Sequence, residues 1–207
     1  MATDIYKNSC GKIEQLFTLD QLTNFVKIFK MVPTNDGAGN TCHGIAQGHP
    51  AYPWLKKTVL PPIIERFNPD LKLIFAMLLD CVKPFDIHYD LKPLPAVGNH
   101  FLSFLIPYAV NNDPELCKYA STILFEQSYN GIEPEKMPEL KSNALDIHES
   151  HISHVPIEQA CRVSLLTELI WHPGDLLWWD SHLLHTSNNF IKNGYTSKQG
   201  IIIHTYV

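Results

Sequence analysis

Hydrophobic residues in the N-terminal third of the chain recur at the spacing of an amphipathic helix. Leucine, phenylalanine and valine return every three or four positions between Leu19 and Phe29. Thr18 and Gln21 stand at the two positions of a capping box, where each side chain can satisfy a backbone N–H of the first turn. The pattern therefore predicts a helix that begins immediately after Thr18.

A second helix is predicted over about residues 52–67, where Pro61 and Pro62 are expected to begin, kink or divide it. Between the two helices, residues 35–40 form a glycine-rich turn that lacks the lysine of a phosphate-binding loop. The N-terminal part, about residues 1–68, is therefore expected to be helical with an intervening loop.

After about residue 70 the pattern changes to short apolar segments typical of β-strands, and Pro173-Gly174 supplies the turn expected between antiparallel neighbours. Side chains alternate along a strand, so Trp178 and Trp179 are expected to divide between the core and the outer face. Two helices followed by about seven short strands predict an α+β architecture whose β part is a sandwich or barrel. The pattern gives bounds for six of them: residues 71–79, which could equally be the end of a buried helix, and residues 101–106 (closed by Pro107), 121–125, 161–170, 176–179 and 200–207.

The chain is expected to form a single domain over residues 1–207, whose β core over about 70–207 contains one long polar insertion. The insertion covers about residues 127–156. Long loops inside compact domains are usually functional or disordered, so it is interpreted as an inserted loop or lid. The insertion contains three histidines spaced by three residues, His148, His151 and His154. They could belong to a solvated loop, a secondary metal site or an element of a substrate lid.

Composition and charge argue against several classes of protein. A net charge of −5 without a run of lysine or arginine argues against nonspecific nucleic-acid binding. The five cysteines are scattered and form no Cys-x-x-Cys pair, which favours reduced thiols over a disulfide framework or a zinc knuckle. No apolar run approaches the roughly 20 residues of a membrane span. A soluble, cytoplasmic protein is expected.

The segment from Phe85 to Asp90 carries the candidate metal ligands. In an extended backbone His88 and Asp90 point to the same side, so they offer a divalent metal an imidazole nitrogen and a carboxylate oxygen. Asp86 has the same parity, so spacing alone leaves the choice of acid open. A distant histidine would complete a two-histidine, one-carboxylate triad, which leaves half of the coordination sphere of Fe(II) open. The C-terminal candidates are His172, His182, His185 and His204.

The C-terminal region carries a second group of motifs, in which an aromatic pair follows Gly-Asp and a histidine is followed by a hydroxyl and an amide side chain. In order, these are Gly174-Asp175, Trp178-Trp179, His185, Ser187, Asn188 and, ahead of the last strand, Lys198. Together with the earlier His-x-Asp, and in the same order, these motifs resemble those of the Fe(II)/2-oxoglutarate-dependent oxygenases. The resemblance is nearest to the phytanoyl-CoA-hydroxylase-like branch.

This resemblance implies a double-stranded β-helix, a jelly-roll or cupin-like barrel, with the N-terminal helices packed outside. It implies that His88, Asp90 and His185 bind Fe(II), and that Lys198 pairs with the distal carboxylate of the cosubstrate 2-oxoglutarate. His185 is preferred to His182 because the hydroxyl and asparagine residues of the family pattern follow it. The implied reaction consumes dioxygen and hydroxylates a C–H bond of a small-molecule substrate, with succinate and CO2 as coproducts.

Lys198 departs from the family, which usually has arginine there because a planar guanidinium holds a carboxylate with two parallel bonds. A buried lysine is costly unless an anion pairs with it. In an extended strand it shares a face with Gly200, and a small residue beside a cation is expected to leave room for a dicarboxylate. The interval from Asp90 to His185 (185 − 90 = 95 residues) is also long for the family, and the 127–156 insertion accounts for the excess.

Two other function classes stay open. One is a metal-binding jelly-roll protein of the cupin type without 2-oxoglutarate turnover; the lysine and the His-x-x-Asn pattern favour the oxygenase over it. The other is an oxygenase that acts on a protein side chain or a nucleobase. The acidic composition makes the nucleobase the weaker of these two targets.

Overall fold

Two antiparallel β-sheets and a set of short helices make up the computed structural model, which describes residues 9–30, 40–91 and 100–207. The strands are β1 (Cys10–Ile13), β2 (Thr41–Gly44), β3 (Lys72–Cys81), β4 (Phe101–Val110), β5 (Ser121–Ser128), β6 (Leu165–Ile170), β7 (Leu176–Asp180), β8 (Leu183–Ser187) and β9 (Lys198–Tyr206). The helices are α1 (Leu19–Lys30), α2 (Tyr52–Trp54), α3 (Leu60–Arg66), α4 (His148–His151) and α5 (Ile157–Ala160). A π-helical turn, Leu55–Val59, joins α2 to α3.

The larger sheet has the strand order β1-β7-β4-β9-β3-β2, and the smaller sheet has the order β6-β5-β8. Neighbouring strands are antiparallel in both sheets. The predicted combination of helices with antiparallel strands is confirmed, and two such sheets are consistent with a jelly roll. The short connection from β7 to β8 carries the chain from the larger sheet to the smaller one.

Strand β4 is apolar on both faces because a packed layer lies on each side of it. Leu105 shares a core cluster with Leu124 of β5, in the space between the two sheets. Phe104 points to the opposite face and shares a second cluster with Phe25 of α1 and Ile63 of α3. All five side chains are almost fully removed from solvent. The candidate site forms in the first of these spaces, between the sheets.

Thr18 and Gln21 form the predicted capping box at the start of α1. The N–H of Gln21 donates to Thr18 Oγ1 at 3.2 Å, and the N–H of Thr18 donates to Gln21 Oε1 at 2.8 Å. The prediction of this helix is confirmed; of the glycine-rich turn, residues 35–39 lie outside the described residues. None of the helices in the described ranges combines the length and apolarity that crossing a membrane requires.

The structure decides the predictions made at two proline positions. The second helix is divided, which is one of the predicted alternatives, and Pro61 and Pro62 lie in the first turn of α3, where a missing N–H is tolerated. Pro107 does not close its strand, so that prediction was wrong. The pairing of β4 with β9 is irregular between Pro107 and Ala109, which accommodates a residue that cannot donate to the ladder.

Strands β1 and β2 lie in the part of the chain for which helices were predicted. Each has four residues, too few for a periodic hydrophobic pattern, and each pairs at an edge of the larger sheet. Their conformation depends on partners that are distant in sequence, and β-structure follows such context more than local propensity. The sequence pattern could not predict them for this reason.

The polar insertion, residues 127–156, packs on the smaller sheet. Ile152 and Val155 are buried in a core cluster with Ile123 of β5. Ile123 faces away from Leu124, and so away from the space between the sheets. This part of the insertion is therefore a packed layer on the outside of the smaller sheet.

Gly174 is a position where an added methyl group is expected to destabilise the fold. Its φ is +88°, and a Cβ there would lie 2.1 Å from the carbonyl oxygen of Phe17. We expect Gly174→Ala to lower the free energy of unfolding by more than about 2 kcal/mol, because strain and a backbone clash add. Gly194→Ala is the matched control, since its φ of +86° carries the strain with no atom within 4 Å. Equal losses for the two variants in urea denaturation would contradict this expectation.

Candidate metal centre

His88 and Asp90 lie in an extended segment after β3 that runs beside β8. The N–H of His88 donates to the carbonyl oxygen of His185 at 2.9 Å, and the N–H of His185 donates to that of His88 at 2.9 Å. The N–H of Asp90 donates to the carbonyl oxygen of Ser181 at 3.1 Å. These backbone bonds place the His-x-Asp segment opposite the histidine predicted as the third ligand.

Three side chains converge between the sheets. One possible ligand atom from each of His88, Asp90 and His185 lies within 4.8 Å of the other two, and no other group of this kind occurs in the described ranges. His185 Nε2 lies 3.5 Å from Asp90 Oδ1, and the two imidazole ring centroids are 4.2 Å apart. The structure therefore brings together the three residues that the sequence singled out as ligands.

Hydrogen bonds fix which nitrogen of each imidazole faces the centre. His88 Nδ1 lies 2.7 Å from the carbonyl oxygen of Asp86, and His185 Nδ1 lies 2.9 Å from that of Leu183. A carbonyl oxygen can only accept, so each Nδ1 carries a proton and each neutral ring has a lone pair on Nε2. Metal-binding histidines are oriented by bonds of this kind. Both rings are thus prepared to ligate through Nε2.

Of the two acids in this segment, Asp90 is the one whose carboxylate lies beside the two imidazoles. The Asp90 side chain is 11% exposed, and its Oδ2 accepts a hydrogen bond from Trp179 Nε1 at 2.9 Å. Asp86 is exposed. Trp178 and Trp179 divide between the outer and inner clusters as predicted, but the sequence reasoning gave Trp179 no role at the site. Its indole N–H orients the carboxylate.

Burial and neighbouring charges favour the ligating protonation states of Asp90 and His88. Burial by itself would raise the pKa of Asp90, but the imidazoles of His185, His204 and His88 outweigh it and hold that pKa well below its usual range. Burial, together with the neighbouring His185, lowers the pKa of His88 to about 4. An ionised carboxylate therefore stands beside a neutral imidazole at neutral pH.

The centre opens into a cavity of about 180 Å³ whose wall includes Lys198. The lysine is 3% exposed, and its Nζ lies 4.4 Å from the ring centroid of Trp171 and 5.6 Å from that of Phe190. Within the part of the chain that the structure describes, no carboxylate forms an ion pair with it. Burial lowers its pKa to about 8. A buried ammonium without a counter-ion makes this end of the cavity a site for an anion.

Gly200 does not have the role that the sequence suggested. A Cβ on this residue would meet Leu105 Cδ1 at 3.0 Å and the Trp171 ring at 3.5 Å. The space beside the glycine is therefore filled by these two side chains and is not left for a ligand. Its small size lets Trp171 approach the strand that carries Lys198, and Trp171 Nε1 is held by Thr122 Oγ1 at 3.0 Å.

No protein-family model matches the chain, and no curated protein matches it. Solved structures do. HygX from Streptomyces hygroscopicus, with nickel and 2-oxoglutarate bound, aligns with a TM-score of 0.59 at 12% identity, over 97% of this chain and 84% of that one. The α-ketoglutarate-dependent epimerase SnoN from nogalamycin biosynthesis gives 0.59 at 10% identity, over 97% and 77%. A Pseudomonas putida prolyl-4-hydroxylase aligns with a TM-score of 0.56 at 9% identity, over 98% of this chain and 94% of that one.

The chain shares the fold of these three proteins. At these identities the likeness is one of architecture, and the narrower resemblance to the phytanoyl-CoA-hydroxylase-like branch stays a prediction.

Within this shared fold, the residues that follow His185 hold the strand in place. Asn188 Oδ1 accepts from the N–H of Ser121 at 3.0 Å, and its Nδ2 donates to the carbonyl oxygen of Tyr119 at 2.8 Å. Ser187 Oγ accepts from the N–H of Phe85 at 3.0 Å. The amide and hydroxyl of the sequence motif therefore tie the end of β8 to its neighbours, and neither serves as a ligand.

The remaining histidines that the sequence left open lie apart from one another. His182 Nδ1 contacts Asp180 Oδ1 at 3.1 Å, and His151 Nε2 lies 3.6 Å from Glu168 Oε2. His204 lines the cavity, with Nδ1 bonded to Ser103 Oγ at 3.0 Å. His172 is half-exposed, and His148 bonds its own segment. The three histidines of the insertion do not form a second metal group in the described ranges.

Iron affinity is expected to weaken as the pH falls through the pKa of His185. Burial lowers that pKa, but Asp90 outweighs it and raises the pKa above its usual 6.5. Below this pKa the ring must lose a proton before Nε2 can ligate, so the Kd for Fe(II) should rise by about tenfold per pH unit. His88 adds to the effect only near its pKa of about 4. Anaerobic competition titrations over a pH series test this, and a Kd constant from about pH 7 to 5 would contradict it.

Proposed function

We propose that this chain is an Fe(II)- and 2-oxoglutarate-dependent dioxygenase that hydroxylates a C–H bond of a small-molecule substrate. One observation carries the proposal: a two-histidine, one-carboxylate group and an unpaired buried lysine, Lys198, line the same small cavity. The first feature fits a divalent metal and the second fits an anion. A cupin-type protein without 2-oxoglutarate would need only the first.

The donor set fits iron. Two imidazole nitrogens and one carboxylate oxygen suit Fe(II) and leave coordination positions open for exchangeable ligands. His88, Asp90 and His185 would hold the metal, and the carbonyl oxygens of Asp86 and Leu183 keep both rings oriented. Bound iron and 2-oxoglutarate together supply the activation of dioxygen, with succinate and CO2 as coproducts. HygX, which shares the fold, has been solved with iron bound and with nickel and 2-oxoglutarate bound.

Lys198 would bind the distal carboxylate of 2-oxoglutarate. Trp171 and Phe190 pack on its ammonium and keep water from it, so the charge is little screened. A lysine offers a point charge instead of the two parallel bonds of an arginine. The aromatic rings that confine the ammonium compensate for this by fixing its position, since they leave it little freedom to move.

The rest of the cavity wall suits the substrate end. It is mainly apolar, and its side chains include Cys42, Met77, Leu79 and Phe85. Apolar walls exclude water from a C–H bond that is to be oxidised. The cavity volume of about 180 Å³ admits the cosubstrate and a small group, which favours a small molecule or one protruding side chain.

An oxygenase acting on a protein side chain is the second candidate. A prolyl hydroxylase from Trichoplax adhaerens, solved with a peptide fragment of hypoxia inducible factor, shares the fold with a TM-score of 0.51 at 12% identity. Its bound partner shows that the architecture accommodates a peptide. SnoN, an epimerase, shows likewise that reactions other than hydroxylation occur on it.

Succinate release in air tests the proposal. The purified chain, supplied with Fe(II), ascorbate and 2-oxoglutarate, should form succinate slowly even without a primary substrate, and omission of iron should stop it. The His88→Ala variant is the control for free iron in solution. Equal succinate formation by the variant and the unmodified chain would contradict the proposal.

A further inference from the structure

Phe85 is held by three side chains at the point where the ligand segment begins. Its N–H donates to Ser187 Oγ at 3.0 Å, and its carbonyl oxygen accepts from the hydroxyl of Thr186. The same carbonyl oxygen lies 2.9 Å from Nε2 of His154, which is also 3.2 Å from Thr186 Oγ1. Because a carbonyl oxygen only accepts, Nε2 of His154 carries the proton and donates.

The position of Phe85 bears directly on the metal ligands. It stands three residues before His88, its ring centroid is 5.3 Å from that of His88, and its side chain lines the cavity. The far end of the ligand segment is fixed by the bond from the N–H of Asp90 to Ser181. Fixing Phe85 therefore fixes the near end of the segment that presents both an imidazole and a carboxylate.

Of the three side chains that hold Phe85, His154 comes from the polar insertion. Thr186 and Ser187 belong to β8, the strand that carries His185. The residues on either side of His154 are well anchored. Ile152 and Val155 are buried, and the N–H of Val155 donates to Ile152 at 2.9 Å. The His148 ring also bonds the carbonyl oxygen of Val155 at 2.8 Å. The imidazole of His154 is thus presented by a packed segment, not by a loose loop.

We propose that His154 is a positioning residue for the metal centre, through which the insertion acts as a brace on the ligand segment. This inference rests on the proposed function, because it assumes that His88, Asp90 and His185 bind a metal. His154 does not touch the metal site. It holds the carbonyl oxygen of Phe85, and Phe85 in turn sets the place of His88. The packing of the insertion on the outside of the smaller sheet thereby contributes to ligand geometry inside the cavity.

The first test is iron affinity with three variants of the insertion. Losing a bond that orients a ligand typically costs about 10–100-fold in metal affinity, and we expect His154→Ala to raise the Kd for Fe(II) by about tenfold. His154→Gln should recover most of the affinity, since its amide N–H2 can reach the same carbonyl oxygen. His151→Ala is the matched control: it lies in the same insertion, is partly exposed, and its ring pairs with Glu168 instead of with Phe85.

The second test needs no metal, so it separates this inference from the proposed function. Amide hydrogen exchange of the metal-free chain should speed up by about tenfold over residues 85–91 in His154→Ala, and not elsewhere in the sheets. His154→Gln and His151→Ala should exchange like the unmodified chain. Unchanged exchange over 85–91, or exchange that rises uniformly through the molecule, would overturn the inference. If the unmodified chain binds no iron, the proposed function fails. The exchange result would still show whether His154 holds residues 85–91 in place.

Discussion

Replacing Asp90 with alanine should raise the Kd for Fe(II) by about a hundredfold or more. The carboxylate is the only anionic member of the candidate ligand set, and removing one of three protein ligands removes a large share of the binding free energy. The change also leaves Trp179 Nε1 without its acceptor and His185 without the carboxylate 3.5 Å from its Nε2. Isothermal titration under anaerobic conditions measures the effect.

Asp86→Ala is the control that makes the first prediction specific. The two acids have the same parity in the sequence, but Asp86 is exposed and contributes only its backbone carbonyl oxygen, which alanine retains. Iron affinity of this variant should therefore stay within about twofold of the unmodified chain. If Asp86→Ala weakens iron binding as much as Asp90→Ala does, the assignment of the carboxylate ligand is wrong.

Replacing Lys198 with methionine should weaken 2-oxoglutarate binding by about a hundredfold while iron affinity changes little. Removing one partner of a buried charge pair costs about 3–5 kcal/mol, because the other charge is left unpaired. Without the cosubstrate, the same change should stabilise the protein, since a buried ammonium with no counter-ion is replaced by an apolar side chain of similar length. Trp171 and Phe190, which lie beside the lysine ammonium, would then contact the end of the methionine side chain.

The second prediction is specific because Lys198→Met should change two thermal-stability measurements in opposite directions. Tm without cosubstrate should rise in Lys198→Met, whereas the rise in Tm that 2-oxoglutarate causes should disappear. Lys192→Met is the control, because that lysine is exposed and contacts Glu149 on the surface. A variant that binds 2-oxoglutarate like the unmodified chain would show that the anion lies elsewhere.

The grouping of His88, Asp90 and His185 could be predicted because its signals are local or ordered along the chain. The parity of an extended backbone puts His88 and Asp90 on one side, and the hydroxyl and amide residues after His185 distinguished it from His182. Strand β4 was predicted from a local signal too, because a strand covered on both faces is apolar over its whole length. The matches to solved structures at 9–12% identity show that the fold is shared although few residues are identical.

The parts that sequence could not predict depend on contacts between distant residues. Trp179 looked like a core residue, and only the packing of the ligand segment against β7 and β8 puts its N–H beside Asp90. His154 is 69 residues from Phe85, whose carbonyl oxygen it binds. The sequence prediction for Gly200 used only its small size. In the structure, the side chains of Leu105 and Trp171 fill the space beside it. No periodicity or spacing encodes these relations.

Anaerobic addition of Fe(II) and then 2-oxoglutarate, followed by visible absorption, tests the central claim most directly. The claim is that one cavity binds iron through His88, Asp90 and His185 and binds 2-oxoglutarate beside it through Lys198. It predicts a weak charge-transfer band that appears only when both are present, saturates at one equivalent of each, and is lost in Asp90→Ala. A folded chain that shows no such band at saturating concentrations would contradict the account.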